Sequence, residues 1–578
     1  LAEFKNPQQD PGMERRLLLV FGLTFLVIIL SQPLLKKYLP QSPAAPAQSQ
    51  PTAQPFPAVN PPASPVAMSA ATTSTAKQAT TESETVVENG LYRVTFTNRG
   101  AQVKSWILKK FNDDQGKPLD LVNHSAEKFG HPLSLWSYDE GLRNRLNSVL
   151  YVAPQEGTKQ APTEISFEFA DADLSVRKTF SFDNTYVLHI STLVIYKGSQ
   201  VTAFPLWPAG FGDAIDPPTY GYSQFEYQNN NSTERLAIKK ISSGNTVRGP
   251  FNWAGVTDRH FAAVFIPEVP DNAAVVTLRN MLEIPKNRLN PNPQEVDKVE
   301  VLGTAVGDLT GPTAERMYVG PKSLQVLEAV HLPTVTGASP DLRALINFGF
   351  FSPIARPLFF WLKWTYAKIV PNWGWAIVIQ TLIINLALLP LRIYQMKSAL
   401  KMQKIQPQMK AIQEKYKKYG MRDPKKQDMQ KEIWELQQRE GVNMFSGCLP
   451  MIIQLPFLFA YYSMLGAAIE LRQAHWLWIH DLSATDPWHV LPAVLVLSMI
   501  VTQRMMPQPG VDPAQQKMMN LMMPLMMGFI FYNLAAGLSL YYAEGNLISI
   551  AQQAIMNRTR LGQEMRELAA KRARKKDK

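Results

Sequence analysis

The sequence predicts a polytopic α-helical membrane protein with six spans and a large external all-β sandwich domain. Three observations predict it. Long uncharged apolar runs lie near the N-terminus and in the C-terminal third. Lys and Arg concentrate in two segments beside the C-terminal runs. Between the first run and the others lie about 240 residues of short, alternating, turn-punctuated patterns of the kind strands make.

The first run, Leu17 to Leu35, is 19 residues long and interrupted only by Ser31, Gln32 and Pro33. A bilayer core needs about 20 residues. The competing reading is a cleaved signal, helped by Arg15–Arg16. Lys36, Lys37 and Tyr38 follow the run directly, where a signal needs small residues, so an uncleaved anchor is expected. The next runs are Gly374 to Leu391 and Asn443 to Ile469, both uncharged, then Trp488 to Gln503. Met518 to Asn557 is 40 residues long with one charge, Glu544. As one helix it would measure about 60 Å, twice a bilayer core, so it must fold back near Leu534–Gly537.

Basic residues orient the spans. Lys397 to Ser446 holds 12 Lys/Arg against 6 acids, and Arg558 to Lys578 holds 9 against 3. The loop Glu470 to His489 holds only Arg472 against Glu470, Asp481 and Asp486. The basic segments therefore face the cytoplasm, both termini lie inside, and the long middle segment lies outside. The net charge, 59 − 47 = +12, is mostly this topology signal. For the tail a plain solvated charge run competes with contact to ribosomal RNA or lipid.

The expected organisation is a tail and first anchor (1–38), a Pro/Ala-rich linker (39–85) and a β-sandwich (86–340). An interfacial amphipathic helix (341–371) and a second span (372–396) follow. A helical hairpin (397–444), spans three to six (445–556) and a basic tail (557–578) complete it. Nine prolines between Pro40 and Pro65 make the linker extended, with order expected near Val86. Leu91 to Thr97 alternates and stops at Asn98-Arg99-Gly100. Ile165–Ala170, Leu174–Phe182, Tyr186–Tyr196 and His260–Pro267 read as further strands, with no strong helical period before about Ser323. In Phe350 to Val370 aromatic residues interleave with Arg356, Lys363 and Lys368, as in an interfacial helix, with Pro353 and Pro357 confining its regular part to the second half. Pro407 and the Tyr419–Pro424 break divide the hairpin. Asp428 with Lys431 and Glu435 with Arg439 are spaced to pair on its second arm.

Enzyme chemistry finds little support. The single cysteine, Cys448, excludes an internal disulfide and an iron–sulfur cluster. The histidines have no metal-ligand spacing, and no phosphate-cradling glycine loop or nucleophile elbow occurs. The external domain reads best as a scaffold or docking domain, with carbohydrate binding the competing role.

Several motifs carry a family resemblance. Asn372-Trp-Gly opens a span ending in Leu388-Leu-Pro-Leu, followed by KMQKIQPQMKAIQEKY at Lys401–Tyr416. Gly447-Cys-Leu-Pro-Met-Ile-Ile-Gln, Glu470-Leu-Arg-Gln-Ala, Trp478-Ile-His-Asp-Leu-Ser-Ala, Asp512-Pro-Ala-Gln-Gln-Lys-Met-Met and Gly537-Leu-Ser-Leu-Tyr-Tyr follow in order. Residues 350–560 closely resemble the YidC family of membrane-protein insertases, and the external domain more loosely resembles the periplasmic domain of its Gram-negative-type members. The resemblance implies a five-helix insertase core in the bacterial inner membrane, working without a cofactor. Its expected partners are nascent membrane proteins, the Sec translocon, membrane lipid, and ribosomes or targeting factors received by the tail and hairpin.

It also implies a hydrophilic groove for the polar part of a nascent chain. The candidate groove residues are Gln380, Thr381 and Asn385 on the second span, Gln454 on the third, and Tyr541 and Tyr542 on the sixth. Polar groups within spans are costly and usually face the bundle interior; interhelical hydrogen bonding is the competing role. Asn385 falls where the family usually has arginine. Arg392 lies about two turns beyond it, roughly 10 Å along the axis, so a groove without a fixed positive charge is expected, unless Arg392 snorkels upward. The methionines from Met505 to Met527 suit either an adaptable substrate-facing surface or ordinary packing. A secondary transporter is the alternative function, although no internal repeat supports it.

Overall fold

A computed structural model describes residues 76–153, 157–229, 232–286, 295–330, 340–416, 419, 425–441, 449–505, 513–560, 562–564 and 567. The first anchor, most of the linker, Cys448 and the end of the basic tail lie outside the described residues.

The β domain follows the predicted alternation. Strand Leu174–Phe182 buries every second residue, pairing with Thr163–Ala170 on one side and Val187–Tyr196 on the other. This antiparallel sheet continues through Thr313–Pro321, Phe261–Pro267, Trp253–Thr257 and Gln224–Asn229 to Ser232–Ala237. Three hydrogen-bonded sheets are present in all. The second pairs two 13-residue strands, Ala273–Pro285 and Val296–Asp308. The third is built on Glu84–Glu88, Tyr92–Thr97 and Gln102–Asn112. Alternation decides which side chains face inward but not which strand is the neighbour, so sheet number was not legible. Between the sheets, Trp106 and Trp207 meet edge to face at 6.2 Å, and Phe96 packs on Phe180 at 5.0 Å.

Two further expectations are corrected. Order starts before Val86: the Lys77 amide donates to the Ala170 carbonyl at 2.8 Å, and a strand begins at Glu84. A helix also interrupts the strands, α1 (Glu140–Ser148). Asp139 caps it by accepting the Leu142 amide at 3.0 Å, and it buries Leu142 and Leu146, four residues apart.

One buried cation organises the domain interior. Lys178 is fully buried and donates to the carbonyls of Gly100, Ala101 and Leu133 at 3.0, 2.7 and 2.6 Å. All three ammonium donors find acceptors, although burial pushes its pKa down to about 7.

The helical region begins with α2 (Ser352–Lys368), regular from its first turn rather than from Pro357. Pro353 falls in the first turn, where its missing N–H is unneeded, and Pro357 forfeits only the bond to the Pro353 carbonyl. α3 (Trp373–Ala387) is capped by Asn372, whose side chain accepts the Trp375 amide at 3.1 Å. α4 (Leu389–Lys415) follows with a 45° bend. Its helix runs from the predicted span into the hairpin and through Pro407, so the first arm is unbroken. The second arm is α5 (Lys425–Arg439). The predicted pairs Asp428–Lys431 and Glu435–Arg439 are not among the ion pairs of the described residues. Lys415 and Glu432 join the two arms instead, at 3.1 Å.

α6 (Leu449–Ala467), α7 (Val490–Met505), α8 (Pro513–Tyr532) and α9 (Ala536–Arg558) complete the bundle. The fold-back expected at Leu534–Gly537 is the α8–α9 turn. It is pinned where the Ala536 and Gly537 amides donate to the Ala484 and Leu482 carbonyls at 2.6 and 2.9 Å. Among the described residues no single helix is long and apolar enough to cross a membrane. α3 and α4 pass that test together as a bent pair, and Leu455–Ala467, Val490–Met505 and Asn520–Tyr532 are shorter apolar stretches.

The β domain meets the bundle at the end of α6 and the loop after it. Arg259 donates to the Gly466 carbonyl at 3.1 Å, Arg472 to the Asn112 carbonyl at 2.8 Å, and the Ser323 hydroxyl to Glu470 at 3.4 Å.

Candidate functional site

The polar residues of α3 and α9 meet in one seam. On α3, Gln380, Thr381 and Asn385 are buried, while Leu382, Ile383 and Leu386 point outward. This split follows from the 100° step between helical residues. Near them on α9 are Glu544 beside Thr381, Gly545 beside Asn385, and Gln552. Gly545 lies close to Asn385: a Cβ there would sit 3.8 Å from the Asn385 amide nitrogen, an ordinary packing distance.

Each predicted residue has a definite place. Gln380 donates to the Leu358 carbonyl at 3.0 Å and accepts from the Tyr461 hydroxyl, tying α2, α3 and α6 together. Tyr541 stacks on Tyr461 with ring centroids 4.0 Å apart, and Tyr542 meets Phe531 edge to face at 4.7 Å. These three have interhelical contacts, the competing reading. Thr381 donates to its own helix at the Ile377 carbonyl, 2.7 Å away, and borders the Glu544 carboxyl group. Asn385 donates to the Thr381 carbonyl at 2.8 Å. Gln454 lies on α6, but its side chain is outside the described residues.

The expectation that Arg392 lies too far from Asn385 is overturned. Its guanidinium reaches back toward α3, donating to the Asn385 side-chain oxygen at 3.0 Å and the Gln552 side-chain oxygen at 2.7 Å. Gln552 closes the ring by donating to the Asn385 carbonyl at 3.1 Å. The long apolar stem of arginine makes this reach possible, and seven residues return the chain to nearly the same helix face. A positive charge is therefore held at the Asn385 position after all. Gln552 and Tyr461 were missed. Gln552 lies eight residues after Glu544, a same-face spacing that could have flagged it.

The bundle also contains polar atoms with no protein partner. Gln503 Oε1, Asn520 Oδ1, the Ser539 hydroxyl, Glu544 Oε2 and Asn546 Nδ2 are all buried and unbonded among the described residues. Such atoms are costly in a dry interior and natural in a wet one. No cluster of three or more potential metal ligands occurs among the described residues.

Sequence comparison supplies the family. Residues 84–362 match the model described as YidC periplasmic domain, and residues 364–564 match 60Kd inner membrane protein. A β domain joined to a helical bundle with a polar seam thus falls in a defined class, bacterial inner-membrane proteins with a periplasmic domain. The membrane protein insertase YidC of Geobacter metallireducens is 31% identical over 503 residues, covering 83% of this chain and 86% of that one. The insertase YidC of Wolinella succinogenes is 36% identical over 399 residues, 69% of this chain and 67% of that one. The chain belongs to the YidC family of membrane protein insertases. A crystal structure of an active YidC insertase matches 84% of this chain and 94% of its own at 20% identity and a TM-score of 0.33. A score that low carries no argument about fold, so the assignment rests on sequence.

Proposed function

We propose that this chain inserts membrane proteins by giving the polar part of a nascent chain a wet path along the α3–α9 seam, while the apolar part passes into lipid. The observation that carries this is the buried Arg392–Asn385–Gln552 ring between α3, α4 and α9. Moving a polar segment through hydrocarbon is expensive because its backbone and charges lose water. A hydrated seam part-way through the bilayer shortens that passage, and burial of the apolar segment in lipid drives the rest.

The substrate-facing residues in this reading are Thr381 and Asn385, with Gln380, Tyr541 and Tyr542 shaping the wall and Gln454 joining from α6. The reading includes six spans, both termini in the cytoplasm and residues 86–340 in the periplasm. Exposed Leu382, Leu386, Leu525, Met526 and Phe529 support lipid contact. Exposed Phe360 and Trp364 on α2 support a helix at the membrane surface. Met522 and Met526 also point outward, which supports an adaptable apolar surface. In this reading the hairpin α4–α5 and the basic tail receive ribosomes or targeting factors, and larger substrates are handled beside the Sec translocon.

The test is insertion of a two-span substrate into liposomes containing only this protein, read by protease protection. Asn385→Ala is expected to lower protection, and Asn385→Arg to be tolerated poorly because it sets a second cation against Arg392. Protection no greater than in empty liposomes would remove autonomous insertion from the proposal.

A further inference from the structure

A belt of hydrogen bonds and stacked rings crosses the bundle at the end of the α3–α9 seam nearest the β domain. Both helices start from the loop after α6. The Asn372 side chain at the head of α3 donates to the His475 carbonyl at 3.0 Å, and the head of α9 is pinned to the Leu482 and Ala484 carbonyls. Gln380 lies eight residues past Asn372, roughly 12 Å along α3. Its amide donates to the Leu358 carbonyl of α2 at 3.0 Å, and its oxygen accepts from the Tyr461 hydroxyl of α6. Tyr461 then stacks on Tyr541 of α9, with ring centroids 4.0 Å apart and planes within 12°. Gln380 and Tyr461 are fully buried, and Tyr541 nearly so. The belt therefore joins α2, α3, α6 and α9, and Gln380 and Tyr461 satisfy each other without water. The Arg392 ring lies further along the seam. Gln552 is 11 residues past Tyr541, roughly 16 Å along α9.

We infer that Gln380, Tyr461 and Tyr541 form an ion seal across the β-domain end of the seam. This rests on the wet seam proposed above. A wet path part-way through a bilayer needs a dry stretch in series, where an ion must shed its water to pass. Stacked aromatic rings fill that stretch, and polar atoms paired with each other draw no water into it. Gln380 is the positioning residue: it holds the Tyr461 hydroxyl, and through it the ring that covers Tyr541. Truncating Tyr461 does two kinds of damage, since it removes a ring from the stack and strands the Gln380 oxygen.

The experiment reads iodide entry into liposomes that contain the full-length protein and an iodide-quenched dye. The unaltered protein is expected to leak no faster than empty liposomes. Tyr461→Ala should raise the rate about tenfold, a barrier loss of about 1.4 kcal/mol. Tyr461→Phe keeps the stack but strands the Gln380 oxygen, so a smaller rise is expected. Gln380→Leu combined with Tyr461→Phe should return the rate to that of the unaltered protein, because neither polar partner remains. Should Tyr461→Ala not fold, the leak of Tyr461→Phe and its reversal carry the test. Folded single variants as tight as the parent, or a parent as leaky as its variants, overturn the seal. A double variant as leaky as Tyr461→Phe overturns the part given to Gln380. Insertion of the two-span substrate by the unaltered protein is measured in the same vesicles. Insertion with tight variants overturns the seal alone, whereas variant leaks without parental insertion support the seal and overturn the insertase reading.

Discussion

Arg392 reaches back across seven residues and a 45° helix bend to donate a hydrogen bond to Asn385 at 3.0 Å. Gln552 on α9 accepts from the same guanidinium, so three side chains on three helices share one charge. A buried cation held this way is expensive to strand, because removing one partner leaves polar groups unpaired.

The ring should therefore behave as a unit. Arg392→Ala and Gln552→Ala are each expected to reduce insertion, and the double variant to be less impaired than the two losses multiplied. Arg392→Lys should recover only part of the activity, since one ammonium cannot reproduce the two-sided guanidinium geometry. Strictly multiplicative losses in protease-protected product would show that the two residues act separately.

At the N-terminal end of α3, Gly374 meets the Trp476 ring. A Cβ added to Gly374 would fall 2.2 Å from Trp476 Cδ1. Gly374→Val is expected to destabilise the bundle by about 1–3 kcal/mol, seen as a lower unfolding temperature of the detergent-solubilised protein. Gly466→Ala is the control, because nothing lies within 4 Å of its added Cβ.

Lys178 offers a test inside the β domain. Lys178→Met keeps the stem but leaves the carbonyls of Gly100, Ala101 and Leu133 without this donor. The desolvation cost of the ammonium disappears at the same time, so the net loss should be about 2 kcal/mol. Denaturant unfolding followed by tryptophan fluorescence would read it, since Trp106 and Trp207 sit in the same core. A variant as stable as the parent would mean that burial of the ammonium costs as much as its three bonds return.

His124 supplies a pH dependence. A hydrogen bond to Asp120, aided by Glu127, raises its pKa from 6.5 to about 9 against a burial penalty. The folded state holds this proton more tightly, so the contribution is fully present below about pH 6.5 and is lost as pH rises through about 9. Asp120 also accepts the Trp106 and Val122 amides at 2.8 and 2.9 Å. Hydrogen exchange at those amides, corrected for its intrinsic pH dependence, should report easier opening across that window, and the trend should vanish in His124→Gln. Lys178 shifts stability the other way over an overlapping range, so the comparison is parent against variant, never the absolute curve.

Much of this protein is written along the chain. The apolar runs near Gly374, Met518 and their neighbours, the fold-back at Leu534–Gly537, and the alternating strands from Tyr92 to Pro267 depend on local order. Helical and strand periods express the burial of nearby side chains, so they can be read residue by residue. The basic segments and the family motifs are local in the same sense. What stayed hidden depends on partners far apart in sequence. The division of the strands into three sheets stayed hidden, because strand neighbours are chosen by packing across the domain. Asn385 read as a lost charge until the bend after α3 let Arg392 return to it. Gln552, 167 residues from Asn385, joined the ring only because α9 folds back against α3. The sequence by itself determined which residues are polar within the apolar helices. Only the tertiary structure decided which of them share a charge and which, like Glu544, are left with an atom unpaired, because hydrogen bonds and Coulomb interactions depend on distance in space.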